Sequence, residues 1–537
     1  MDRVLGNRHA LLAFWLGCLA VTVGVGLHLP MFLMAKDMGY VLKDMPMDPG
    51  MIVGMGLIVF GVGLTGYGLL PNRSGAADTG VRVTASEDAP LTAAHWRLMA
   101  VLVIALVVDI MKPASLGFVV PGMRAEYGIT KAVVAWLPFS ALTGTFVGSL
   151  VWGVLADIYG RRAAILLSSI MFVGTSICGA MPSFGWNVFM CFMMGAAAGG
   201  LLPVAYALLA ETMPTRHRGW SLVLVGGLGA AGGYLASSAS SAWLQPIFGW
   251  RIMWFLNMPT GLLLIAMNSL IPESAKFLLQ TGRMAQAQQV LRQFGSVLVP
   301  IGAATAAAEA DAPAPAASAR ASHFTGEMVI LAIAALTWSL INFGILLWLP
   351  AELVAKHYSI GETSKLLAQS AVIALPTAFA AAFLYSRWSS KGALAAMMVV
   401  SALGLGGVIL LDAQIGGVRV SPLLPVALLI FGTNGMLAVL LPYTAELFPA
   451  RIRGRATGLV AGCTKFGGII AQVLGLLALV PALGTAAWVV IGLLLASTAL
   501  IVLFGDETRG RDLRDLDDAF DPDPLGSAVT EAVGRTE

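Results

Sequence analysis

The sequence predicts an all-α, polytopic membrane protein: a twelve-helix core of two pseudo-symmetric six-helix bundles, preceded by two extra membrane helices, fourteen in total. Three observations carry that prediction. Of 537 residues, 58% are hydrophobic and only 11% charged, with a mean hydropathy of +0.83, whereas about a quarter of a soluble protein is charged. Apolar runs of about 20 residues, the length of one bilayer crossing, recur fourteen times. The segment Ala210-Glu-Thr-Met-Pro-Thr-Arg-His-Arg-Gly219 returns 235 positions later (445 − 210) as Ala445-Glu-Leu-Phe-Pro-Ala-Arg-Ile-Arg-Gly454, six of ten positions matching as A-E-x-x-P-x-R-x-R-G. A charged element repeated at one membrane boundary with so long a period marks two homologous halves.

Residues 1–70 hold two apolar runs, near 10–34 and 50–70. The first follows Arg3 and Arg8 but is too long for a signal peptide and has no small-residue cleavage site before Lys36, so it reads as a retained helix. Residues 71–95, opening Pro71-Asn-Arg-Ser-Gly, read as a flexible linker. The N-terminal bundle, 96–271, holds core helices 1 to 6 near 96–120, 132–155, 163–182, 186–210, 220–243 and 251–271. A central loop, 272–325, contains a surface helix at Met284–Phe294 and an Ala/Pro linker at Ala303–Ala319, slack enough for the bundles to rock independently. Core helices 7 to 12 lie near 326–350, 364–386, 392–412, 422–446, 455–480 and 484–504, filling the C-terminal bundle at 326–504. Residues 505–537 form a charged tail.

Loop charge sets the orientation. Arg161, Arg162, Arg216, Arg218, Arg387, Lys391, Arg451, Arg453 and Arg455 fall on one side, against Arg124, Lys131, Arg251, Lys356, Lys365 and Arg419 on the other. The sign of the excess is consistent with both termini in the cytoplasm, and the expected location is a bacterial inner membrane. Cys18, Cys178, Cys191 and Cys463 lie in apolar runs without metal spacing and read as small core residues. No G-x-x-x-x-G-K-[ST] loop, catalytic constellation, cofactor or metal site appears, and nothing points to nucleic acid, so the chain reads as no enzyme.

Gly153-Val-Leu-Ala-Asp157-Ile-Tyr-Gly160-Arg161-Arg162 resembles the G-x-L-A-D-x-x-G-R-R/K signature of the major facilitator superfamily at almost every defining position. The two A-E-x-x-P-x-R-x-R-G copies resemble the loops after its helices 4 and 10. Pro272-Glu-Ser-Ala-Lys-Phe-Leu278, with Gly282-Arg283, looks like a segment of its sugar-porter and metabolite–proton symporter branches. The resemblance covers residues 96–505 and leaves the first 95 outside. Between core helices 8 and 9 the matching loop is worn to Tyr385-Ser-Arg387-Trp-Ser-Ser-Lys391-Gly, and core helix 5 lacks the Gly-Pro pair of drug–proton antiporters.

The resemblance implies that these loops latch the halves together on the cytoplasmic side. Gly153 would allow close helix approach and Gly160 a tight turn. Asp157, Arg161, Arg162, Glu211, Arg216 and Arg218 would form one network; Glu446 with Arg451 and Arg453 would form a weaker second. Read without the family, the arginines set topology alone, but the matched acids add nothing to a positive-inside bias.

Ionisable residues deep in apolar runs are functional candidates. Asp109, in Val107-Val-Asp109-Ile-Met-Lys112-Pro113, reads as the proton acceptor; Lys112 is one turn on, and Pro113 frees a backbone carbonyl beside them. The alternative is a permanent Asp109–Lys112 structural pair. Lys465, within Gly462-Cys-Thr-Lys465-Phe-Gly-Gly, lies about ten residues into core helix 11; Lys112 and Lys465 together suit the negative charge of an anionic substrate, or else Lys465 neutralises Asp109 or a helix end. Asn434, Asn342, Tyr206, Gln472 and Trp338 are the neutral substrate-binding candidates, with Asn434 favoured by its small neighbours; Tyr443 and Trp136 also read as interfacial anchors, and His28 as a buried hydrogen-bonding residue. The expected function is secondary active transport by alternating access: proton-coupled symport of a small organic anion of carboxylate type. Alternatives are a sugar or polyol facilitator or symporter, a drug or metabolite exporter, and a non-transporting receptor or assembly subunit. Expected partners are the small-molecule substrate, protons and the lipid bilayer, with a protein partner or dimer contact through the first two helices.

Overall fold

A computed structural model describes residues 8–70, 81–85, 90–300, 318–412, 421–448, 450–479 and 483–509. Among them fourteen helices are long and apolar enough to cross a membrane. They are α1 Arg8–Met38, α2 Pro49–Leu69, α3 Ala93–Tyr127, α4 Lys131–Ala156, α5 Arg161–Ala180, α6 Phe184–Thr212, α7 Arg216–Phe248, α8 Ile252–Leu270, α9 Thr325–Ala355, α10 Ile360–Arg387, α11 Ser390–Leu410, α12 Leu423–Leu447, α13 Ala456–Leu476 and α14 Gly484–Phe504. Core helices 1 to 12 are thus α3–α14, with α3–α8 and α9–α14 as the two bundles.

The extra pair, α1 and α2, is zipped by glycines spaced seven apart, two helical turns, so that they share one face. A Cβ added at Gly24 would lie 2.6 Å from the Gly54 carbonyl, one at Gly61 2.7 Å from the Gly17 carbonyl, and one at Gly68 2.6 Å from the Ala10 carbonyl. With no hydrophobic drive between helices in lipid, such backbone contact is what holds them. His28 closes the zipper's end, its Nδ1 2.8 Å from the Gly24 carbonyl. The pair packs on α5, where Ile58 and Val21 reach Gly174. That cover explains why the apolar stretch of α5 is 94% buried while that of α14 is 28% buried.

The loop joining α1 to α2 docks on the same bundle. Glu126 accepts the backbone N–H groups of Leu42 (2.9 Å) and Lys43 (3.0 Å), the Trp250 indole (2.8 Å) and the Arg251 guanidinium (2.6 Å). Phe32 packs on Phe255 and Tyr40 on Phe248. The Arg251 and Glu126 side chains are 0% and 4% exposed, so the pair is buried and its remaining lone pairs must be met. The extra hairpin meets two of them.

Five residues of the expected linker take a strand, while 71–80 and 86–89 lie outside the described residues. Val81–Ala85 forms β1, antiparallel to β2, Ser296–Pro300, with Val81 opposite Pro300 and Ala85 opposite Ser296. Both strands are rich in β-branched residues, but each needs a partner far away in sequence. The expected surface helix is present at Met284–Gln293.

Between the bundles, α7 lies along α10 and α12, and α4 along α13. Along α7 the seam closes at three levels. Gly219 meets Glu446 and Tyr385, Gly227 meets Ala378 and Ala438, and the Ser241 hydroxyl pairs with Ser364 at 2.7 Å.

Candidate functional site

The motif-bearing loop of the first half folds around one carboxylate. Gly160 has φ +102, and a Cβ there would sit 2.5 Å from Glu273 and 2.9 Å from Phe277. Glu273 accepts the N–H groups of Arg161 (2.8 Å) and Arg162 (3.4 Å), capping the start of α5, where a negative charge is favoured. Burial pushes the Glu273 carboxyl pKa up, against the amides of Ser274, Arg162 and Arg161. The Arg161 guanidinium reaches Glu211 at 3.2 Å and the Ala156 carbonyl at 2.8 Å; Ser274 donates to Glu211, and Arg162 to Asn268. Gly160, Arg161, Arg162 and Glu211 therefore converge, with Glu273 and Ser274 as members that sequence reasoning did not single out. Gly153 departs from expectation: a Cβ there would meet nothing within 4 Å among the described residues, so none of their helices approaches it closely. The side chains of Asp157, Arg451 and Arg453 lie outside the described residues.

The second half builds the mirror image with different chemistry. Glu507 accepts the Ser390 N–H at 2.8 Å and the hydroxyls of Ser389 and Ser390, capping α11. Burial works against its carboxylate, but these hydroxyls and the amides of Arg509 and Ser390 outweigh it and hold the pKa below the ordinary carboxylate range. Thr508 donates to Glu446 at 3.2 Å, as does Tyr385, and Lys391 reaches the Gly505 carbonyl at 3.0 Å. Glu273–Ser274 and Glu507–Thr508 stand 234 apart (507 − 273), close to the 235 between Glu211 and Glu446 (446 − 211). That near-identical offset was the available signal, hidden because Pro272-Glu-Ser and Asp506-Glu-Thr share only the acid. The two copies of the repeat also meet: a Cβ on Gly219 would lie 2.5 Å from Glu446 Oε1. Arg216, Arg218 and Glu446 all have further polar or electrostatic partners.

Within the membrane, Asp109 on α3 is 9% exposed and lies in the electrostatic fields of both Lys112 and Lys465. The lysines differ in surroundings. Lys112 is 3% exposed and its ammonium lies over the Phe172 ring of α5, inside the first bundle. Lys465 on α13 is partly buried, with its ammonium 5.6 Å from the Phe343 ring centre. Three residues to either side, Gly462 faces Phe146 of α4, and Gly468 lies against Phe343 of its own bundle and Leu142 of α4, so this stripe of α13 borders the seam.

Phe343 sits in a π-helical turn, Leu340–Leu346, unforeseen from sequence; such turns cluster at functional sites. Leu347 N–H reaches the Asn342 carbonyl at 3.1 Å, and Gln472 donates to the Phe343 carbonyl at 2.7 Å while accepting from the Trp348 indole at 3.2 Å. The Trp338 indole donates to the Thr433 carbonyl at 2.9 Å. Gln472 and Trp338 thus have their polar atoms engaged by protein. Asn342 is partly buried. The Tyr206 hydroxyl lies against Gly226. Tyr443 donates to the Asp506 carbonyl, and Trp136 is 48% exposed beside Phe139. Asn434 is 9% exposed and its Nδ2 has no acceptor among the described residues.

Comparison with known proteins places this arrangement. The niacin transporter NiaP of Acinetobacter baylyi is 26% identical over 450 residues, 81% of this chain and 99% of that protein. The 4-hydroxybenzoate transporter PcaK of the same organism is 30% identical over 225 residues, 40% of this chain and 46% of that one. Among solved structures, the inward-open xylose transporter XylE from E. coli aligns with a TM-score of 0.61 at 17% identity, covering 79% of this chain and 99% of that chain. The sequence pattern described as Major Facilitator Superfamily matches residues 100–442. With its paired bundles and repeated loops, the chain belongs to the major facilitator superfamily and is an integral, multi-pass membrane transporter.

Proposed function

We propose that the protein is a proton-coupled symporter of a small aromatic carboxylate, driven by rocking of the two bundles about a midplane site. The observation that carries this reading is that Asp109 on α3 and Lys465 on α13, one from each bundle, lie within each other's electrostatic field without a direct ion-pair contact. While Asp109 is ionised, it partly satisfies Lys465. A proton on Asp109 removes that counter-charge and leaves the lysine free for a carboxylate, so proton and anion bind together. Phe343, beside Lys465, offers a face for an aromatic ring. Relatives named for niacin, 4-hydroxybenzoate, gallate and benzoate agree with this substrate class.

In this reading the basic loops face the cytoplasm of a bacterial inner membrane with both termini inside, residues 96–271 and 326–504 are the moving bundles, and the Glu273 and Glu507 networks latch the outward-facing state. The outer faces of α1 and α2, with Leu12 58% and Val59 74% exposed, face lipid or a partner chain. The sugar reading draws on the Pro272–Leu278 segment and the shared fold with XylE; the lysine in the seam favours an anion.

The test is Asp109→Asn in proteoliposomes with an imposed pH gradient. Accumulation of niacin or 4-hydroxybenzoate should vanish while counterflow exchange persists. Accumulation that survives refutes Asp109 as the proton carrier. A thermal-shift screen checks substrate class, because ligand raises apparent stability by mass action; stabilisation by sugars and not by aromatic carboxylates overturns it.

A further inference from the structure

We propose that Tyr234 on α7 and Asn434 on α12 form a hydrogen-bonding subsite, one residue from each bundle, that reads a polar acceptor on the substrate's ring. The proposal rests on the aromatic-carboxylate reading above and adds to it the feature that separates one such acid from another.

Helical register puts the two side chains in the seam. On α7, positions 227, 234 and 241 repeat every seven residues and so share a face. Gly227 packs on Ala378 and Ala438 of the second bundle, and Ser241 bonds Ser364. Tyr234, midway, looks the same way. On α12, Ala438 is one turn from Asn434, so both share the face that meets α7. The helices run antiparallel: Gly219 meets Glu446 and Gly227 meets Ala438, eight residues on in each (227 − 219 and 446 − 438). Four further residues bring Asn434 level with position 231, and Tyr234 is three residues beyond, about 4.5 Å of helix rise.

Their polar atoms lack partners. Among the described residues the buried Tyr234 Oη and Asn434 Nδ2 make no hydrogen bond. Buried polar groups are nearly always paired, and an unmet one is costly. The nearby Trp338 indole, by contrast, is bound to the Thr433 carbonyl, and the paired Ser241 and Ser364 hydroxyls satisfy each other two turns above Tyr234. Between two closed levels of the seam, the chain therefore keeps an amide donor and a hydroxyl at neighbouring levels, with nothing among the described residues for them to bind. A ring nitrogen or phenolic oxygen accepts from Asn434 Nδ2, and the tyrosine hydroxyl adds a second donor. Phe118, whose ring centre is 6.1 Å from that of Tyr234, supplies apolar surface beside them.

The test uses the full-length protein in lipid nanodiscs, with affinities for benzoate, 4-hydroxybenzoate and niacin measured by calorimetry for wild type, Tyr234→Phe and Asn434→Leu. Both variants should lose about tenfold for 4-hydroxybenzoate and niacin, the size expected for one lost hydrogen bond, while benzoate changes by less than about twofold. Equal losses for all three ligands, or none for any, overturn the subsite while leaving the carboxylate reading intact. Failure of wild type to bind any of the three overturns both. Tyr234→Phe keeps the ring and removes one oxygen, so a properly folded variant is available even if Asn434→Leu misfolds.

Discussion

Glu507 offers the sharpest test of whether the second half is latched as proposed. It accepts the Ser390 N–H, the hydroxyls of Ser389 and Ser390, and the Arg509 N–H. Bonds to a charged acceptor contribute about 1.5 kcal/mol or more each. The site is partly exposed and water can replace some donors, so roughly halving the sum leaves about 2–3 kcal/mol for Glu507→Ala. If the network exists only while this face is closed, the closed-to-open ratio falls roughly 30- to 150-fold. The assay is electron–electron distance measurement between spin labels at Ile158 and Arg387, both exposed, with the native cysteines replaced by serine. Wild type should give a dominant short distance and Glu507→Ala a dominant long one. Glu273→Ala should do the same, because Glu273 caps α5 as Glu507 caps α11. An unchanged distribution for Glu507→Ala beside a shifted one for Glu273→Ala would falsify the equivalence and restore the first loop as the sole latch.

Three further outcomes follow from the same geometry. Gly61→Leu should lower the melting temperature of the purified protein measurably, since overpacking costs about 1–3 kcal/mol, whereas Gly56→Leu, with open space around it, should not; equal effects would mean the glycine zipper does not hold α1 to α2. Glu126→Ala should cost about 3–5 kcal/mol by stranding buried Arg251, and Glu126→Leu with Arg251→Met should recover much of that, since apolar replacement of a buried pair is often tolerated; additive losses in denaturant melts would argue against coupling. Glu507 is held below its ordinary value of 4.5, so it stabilises the fold above that pH and the contribution is lost as pH falls through the lower folded value. Glu507→Gln should therefore flatten the acid side of the melting curve. Glu273, pushed upward, works in the opposite sense, its ionised form costing stability as pH rises, and Glu273→Gln should leave that acid limb in place.

Which of these features could be read from sequence depends on whether the controlling interaction is local. The fourteen crossings were legible because each is a run of apolar residues, and only their ends moved: core helix 1, read as 96–120, extends as Ala93–Tyr127 straight through Pro113 and Pro121. Features set by pairing were not. The β1–β2 contact joins segments more than 200 residues apart (296 − 81), and neither strand signals its partner. The worn loop at Tyr385–Gly392 suggested a weakened second latch because the residues that complete it, Gly505–Arg509, lay in what read as a plain charged tail. Gly153 matched its motif yet has no close neighbour among the described residues to need it.

The same distinction sorts the membrane-embedded polar residues. In sequence, Trp338, Gln472, Asn434 and Tyr234 are alike: single polar groups in apolar helices, three of them candidates and Tyr234 passed over. Their hydrogen bonds separate them. Trp338 and Gln472 are engaged by the Thr433 carbonyl and by Trp348 and Phe343, so substituting them should loosen the π-helical turn that holds Phe343 under Lys465 and weaken every ligand alike. Asn434 and Tyr234 keep atoms on the seam that no described residue pairs, so substituting them should change which ligand is preferred. A loss of affinity shared equally by all aromatic acids in Gln472→Leu, beside a selective loss in Tyr234→Phe, is the pattern this division requires. A selective loss in Gln472→Leu would place its amide in contact with substrate and refute the division.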